Sequence, residues 1–302
     1  MKTVFGFALL GLAACVPADE ALGLGSVQFT FTASTHAKTG IYSGESRDLY
    51  RVDFDRVILG FKTMTAGKLG APNTCSYRGR GAVSDAVFRP LGDKPGLVQT
   101  FNGLSPIECP DVGVIFGAPT DATVPDANAT SADLVELAEG GLHAIVDATA
   151  SLDDGFTPTT QIQLRFNPIT TSTRFGGCRE ATRGTRILTG KRDQATVYFA
   201  PENLFREAIS STVPFRVRPF IQADERGDAD GIVTMTELDN LPLAAIPDGD
   251  FYQIPSSTTA NNVTGRFPSL GDFVRFLFRF TLLFRTENGL CTGNEPGTES
   301  EE

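Results

Sequence analysis

Six positions that can present oxygen to a cation fall within fourteen residues: Asp224, Asp228, Asp230, Ile232, Thr234 and Glu237. From Asp228 onward they recur at every second residue, and Glu237 closes the series. Asp and Glu offer carboxylates, Thr234 a hydroxyl or a water it holds, and Ile232 its backbone carbonyl. Gly231 follows Asp230 where the chain must turn sharply. A hard cation such as calcium takes six to eight oxygens and no soft ligands. The expected chemistry is therefore calcium binding, set against an acidic, glycine-containing surface turn that binds nothing.

With Glu237 at position 12, the segment resembles EF-hand and dockerin-type calcium loops. Asp228 falls at position 3, Asp230 at 5, Gly231 at 6, Ile232 at 7 and Thr234 at 9. Position 1 breaks the pattern, because it is Arg226. Asp224 can replace it if the loop carries two extra residues around Arg226 and Gly227. The approach, residues 213–221, alternates like a strand, whereas 236–241 reads as helical. The resemblance thus implies one half-hand, suited to a structural ion more than to sensing, which uses paired helices.

Other chemistry finds little support. The two histidines are His36, in a polar turn, and His143, in an apolar strand. Asp147 shares a strand face with His143 but stands about 13 Å away. The chain has no Gly-x-Ser-x-Gly elbow, HExxH helix, phosphate loop or dinucleotide fingerprint. Paired carboxylates for sugar hydrolysis stay open, since their partners meet only in the fold. Two His and three Met disfavour copper handling. A net charge of −10 excludes the basic footprint that nucleic acid needs.

The N-terminus carries the second signal. Lys2 precedes an apolar run, residues 4–12, too short for the ~20 residues of a membrane span and suited to a signal peptide. Leu12-Ala13-Ala14-Cys15 follows. This resembles the lipobox of bacterial lipoproteins, which implies acylation of Cys15 and attachment to the membrane by lipid. Val16 in place of Asp, by resemblance to Gram-negative lipoproteins, implies the outer membrane. The tether would extend roughly 30 Å. Four cysteines remain, Cys75, Cys109, Cys178 and Cys291. In an oxidising compartment they make two disulfides; proximity favours Cys75–Cys109 and Cys178–Cys291 among three connectivities.

The elements that must position these residues are mostly short strands. Residues 26–33 alternate, with Val27, Phe29 and Phe31 on one face, and 161–166 do the same with Ile162, Leu164 and Phe166. Further strands are expected at 49–65, 82–88, 96–101, 112–116, 142–148 and 195–199. Short helices are expected from Ser131, as N-cap, and from Pro201. Residues 270–284 fit either period; their length favours a helix capped by Ser269 and Asp272.

The expected fold is mainly β: an antiparallel β-sandwich with short helices and a C-terminal helix packed on it. The divisions are a signal peptide (1–14), a lipidated tether (15–25), the sandwich (26–291) and a disordered acidic tail (292–302). The layout resembles uncharacterised secreted bacterial lipoproteins, which implies no activity. Two functions follow: a non-enzymatic binding or scaffold module held at the membrane, or a calcium-stabilised hydrolase of envelope or environmental polymers.

Overall fold

The structure is a computed structural model. It describes residues 24–66, 86–92, 96, 98–104, 107–109, 112–121, 123–152, 154–167, 173–178, 185–207, 214–247, 267–278, 280–284 and 291–293. The signal peptide, Cys15, Cys75 and most of the tail lie outside the described residues, as do the side chains of Cys109, Cys178 and Cys291.

Strand β1 (Gly25–Ala33) alternates as its sequence demands, with Val27, Phe29, Phe31 and Ala33 buried. It lies between β4 (Val98–Leu104), antiparallel, and β12 (Arg192–Phe199), parallel. β14 (Leu282–Phe284) extends this sheet by pairing antiparallel with β12.

A larger sheet is built on β2 (Tyr50–Ala66), one continuous strand. Its first part pairs with β8 (Ala144–Leu152), with a register shift between Phe54 and Arg56. Its second part pairs with β6 (Val112–Phe116), and β3 (Ala86–Phe88) also pairs with β2. β9 (Thr160–Phe166) continues the sheet beyond β8, and β13 (Ile232–Thr234) adds to β9 in parallel. On the other side β6 leads to β10 (Thr173–Cys178) and then β15 (Cys291–Gly293).

Both sheets are mixed, which corrects the antiparallel expectation. Chain segments that leave one sheet and return through helices or long connections add strands in parallel. The architecture is mainly β.

One apolar cluster takes residues from both sheets. Phe31 of β1 meets Phe61 of β2 edge-to-face at 5.2 Å. Helix α1 (Thr35–Thr39) follows β1, capped by Ser34, so His36 belongs to a helical turn. Helix α2 (Ser131–Glu139) begins one residue earlier than expected, because Thr130 rather than Ser131 is the N-cap and forms the capping box with Asp133. It covers the other face of the larger sheet, where Ile58, Leu137, Leu142 and Ile145 make a second, smaller cluster.

Residues 270–284 realise both of their periodicities. Leu270–Phe278 is helical, capped by the Ser269 hydroxyl, which accepts from the Asp272 amide at 3.1 Å. The chain then turns at Phe280 and Thr281 and continues as β14. The expected fifteen-residue helix is thus cut short, since pairing with β12 satisfies the backbone that further helix would otherwise satisfy. Phe278 lies near Phe199 of one sheet and Phe116 and Phe166 of the other, stacking on Phe166 at 4.3 Å. Thr292 and Gly293 belong to β15, so the tail begins later than 292.

Candidate metal centre

The acidic segment folds as helix, loop, strand and helix. Helix α3 (Arg218–Arg226) precedes it, which corrects the strand-like reading of residues 213–221. The extended half of that reading survives at Phe215, which bridges Ser46 and Arg206. From Val217 onward Asp48 takes over: its Oδ2 accepts from the Val217 amide at 2.8 Å and the Arg218 amide at 2.5 Å. Those are orphan donors of a helix start, and Pro219 suits the first turn. Phe220, Ala223 and Asp224 then fall on one buried face, with Phe220 against Phe205 at 4.7 Å. The cap is supplied by a residue 169 positions away, so no local signal announces it.

The helix carries Asp224 in its last turn, 6% exposed. Its Oδ1 accepts from the Gly231 amide at 3.1 Å, so the first carboxylate is tied to the loop's turning glycine. Gly231 has φ +84°, a region that favours glycine. Beyond the loop, β13 leads into α4 (Met235–Asn240). Thr234 is the N-cap of α4; its hydroxyl accepts from the Glu237 amide, and Glu237 Oε2 accepts from the Thr234 amide at 2.8 Å and hydroxyl at 3.0 Å.

These elements bring three carboxylates together. Oxygens of Asp224, Asp228 and Glu237 all lie within 4.8 Å of one another. Glu237 is 9% exposed, and its Oε1 is buried with no hydrogen-bond partner. That oxygen lies against Gly227, where a Cβ would stand 2.4 Å from it. A buried carboxylate oxygen without a donor is costly, and a cation answers that cost.

The other expected ligands are placed differently. Asp230 Oδ1 accepts from the Ile232 amide at 2.8 Å, folding its carboxylate onto the loop backbone. Ile232 is half-buried in β13, and the Thr234 hydroxyl is engaged by Glu237. Arg226 is turned away: its Nη2 lies 3.4 Å from the Ala245 carbonyl. Asp224 therefore stands where Arg226 would by spacing alone, with two extra residues absorbed in the last turn of α3.

A second titratable cluster escaped sequence reasoning. Glu202 is 4% exposed and its Oε2 accepts from the Ser34 hydroxyl at 2.8 Å. His36 stands between it and Glu45: Nδ1 is 3.8 Å from Glu202 Oε1, and Nε2 is 3.1 Å from Glu45 Oε1. Burial pushes the Glu202 carboxyl up to about 7, against the Ser34 hydrogen bond and the charges of His36 and Arg206. His143 is buried, and burial together with the Lys62 charge holds its pKa below the ordinary value. Asp147 pairs with Arg56, at 2.8 Å, and with Arg165.

Comparison of the chain with protein-family models, with curated proteins and with solved structures finds no match. Among the described residues, no helix is long and apolar enough to cross a membrane.

Proposed function

We propose that this chain is a membrane-anchored lipoprotein, acting as a non-enzymatic binding or scaffold module and stabilised by one calcium ion. The observation that carries the calcium reading is the buried, unpartnered Oε1 of Glu237 beside Asp224 and Asp228. The donors are all hard oxygens, which suits calcium better than zinc or copper. Asp224, Asp228 and Glu237 would hold the ion, with Gly231 keeping the loop tight. The ion would join the end of α3 to the start of α4 and to the edge strand β13. The role is structural, because β13 pairs with β9 of the main sheet rather than with a second loop of its own kind.

The two sheets are read as the faces of a β-sandwich, supported by the Phe31–Phe61 contact across the common core. Attachment by lipid at Cys15 and delivery to the outer membrane rest on the lipobox resemblance alone. Replacing Cys15 with Ser is expected to move the protein from the membrane to the soluble fraction.

Calcium titration of the metal-free chain tests the ion. Metals that bind the folded state raise stability by mass action. With Kd near ~10⁻⁴ M, as in extracellular calcium modules, a hundredfold excess adds about 2.7 kcal/mol. Glu237→Gln should abolish most of this gain. A wild-type melting curve indifferent to both calcium and chelator would reduce the segment to an acidic turn.

A further inference from the structure

We propose that the cleft on the other side of α3 binds an oxyanion, a carboxylate or sulfate group carried by a small ligand. The cleft has a volume of about 420 Å³ and is lined by Arg216, Arg218, Gln222, Glu225, Arg226 and the turn at Pro247. Three arginines lining one hollow are unexpected in a chain of net charge −10. Residues 218, 222, 225 and 226 follow helical spacing and form one stripe of α3, with Gln222 buried at its middle and Arg218, Glu225 and Arg226 outside the buried set. The helix thus sends Asp224 to the metal centre and Arg226, the residue that breaks the loop pattern, into the cleft.

The arginines are held in place. Arg216 is 9% exposed; its guanidinium meets Glu207 at 3.2 Å and the Pro247 carbonyl at 2.5 Å. With the Gln222 amide oxygen turned toward it, Arg226 donates to that oxygen at 2.8 and 3.2 Å. Arg218 already grips an oxyanion: both carboxylate oxygens of Glu225 accept from it, at 2.8 and 2.7 Å. This fork-to-carboxylate geometry is the one by which arginine receives carboxylates and sulfate-like groups. Glu225 acts as an internal competitor for the ligand, and Glu207 stands behind Arg216 as its fixed counter-ion. The site is independent of the calcium reading, because none of its residues belongs to the acidic trio.

The test uses the full chain, labelled to show arginine Nε–H signals by NMR, with sulfate as probe and chloride holding ionic strength constant. Signals of Arg216, Arg218 and Arg226 should move saturably. Acetate should move the same signals, as a carboxylate source. Removing the competitor with Glu225→Gln should tighten sulfate binding about threefold or more, and Arg226→Met should weaken it about fivefold or more. Backbone amide spectra without sulfate check that each variant is folded. Shifts that stay linear in sulfate, or that are the same in folded Glu225→Gln and Arg226→Met as in the wild type, would overturn the proposal.

Discussion

At the scale of single side chains two responses are expected, one to calcium and one to pH. In the acidic trio Asp224 stands beside Asp228 and Glu237, while Arg226 reaches toward the Ala245 carbonyl. Asp224→Asn is therefore expected to weaken calcium binding as strongly as Glu237→Gln. Arg226→Asp should leave calcium stabilisation almost unchanged. Isothermal titration of the three variants separates these outcomes. The pH response belongs to Glu202. Its folded pKa of about 7 lies above the ordinary 4.5, so between those values the folded state binds more protons than the unfolded one. By linkage, stability from this group is full below about pH 4.5 and is lost as pH rises toward 7. Glu202→Gln keeps an acceptor for Ser34 and removes the titration. Urea unfolding at pH 5, 6, 7 and 8 should show the variant's stability falling less with pH. The difference from wild type should approach about 3 kcal/mol at most near neutrality, given 1.36 kcal/mol per pKa unit.

At the level of elements, two docking contacts stand out. Phe278, at the end of helix α5 (Leu270–Phe278), contacts phenylalanines of both sheets. Phe278→Ala should cost about 3–5 kcal/mol, the range for deleting a buried aromatic ring, read as a lowered urea midpoint with an unchanged slope. The other contact joins the acidic loop to the sheet, where the Gln161 amide donates to the Gly231 carbonyl at 2.8 Å. Gln161→Pro removes that donor beside the loop. It should weaken calcium binding while the ligands themselves stay intact, a loss of loop pre-organisation measurable in the same titration.

The expected cross-links and anchor belong to the scale of the whole molecule. In β10 and β15 the register sets Cys178 opposite Cys291. Residues opposed in an antiparallel ladder have Cα atoms about 4.5–5.5 Å apart, inside the range a disulfide spans. Non-reducing peptide mapping is expected to find Cys178 linked to Cys291, tying the end of the chain to the larger sheet. A Cys109–Cys178 link would defeat this pairing. Cys109 itself lies in β5 (Ile107–Cys109), opposite Thr185 of β11 (Thr185–Ile187).

Local pattern alone determined the strands with a clean two-residue period, β1 and β9, since one face of each is buried whatever its neighbours are. It also marked the acidic segment as a candidate ion site, because carboxylates and a turning glycine stand close together in sequence there. Tertiary structure decided the rest. The helix before the loop depends on Asp48, far away in the chain, to satisfy its first amides. Whether Asp224 or Arg226 faces the trio depends on how the last turn of α3 is rotated against the core, which spacing along a chain does not encode. The parallel partners of β1 and β9 come from distant segments, so the mixed sheets could not be read from alternation. Residues 270–284 carried both periods at once, and pairing with β12 chose where helix gave way to strand. The raised Glu202 and the arginine cleft left no sequence trace, because burial and convergence are properties of surfaces that only meet once the chain has folded.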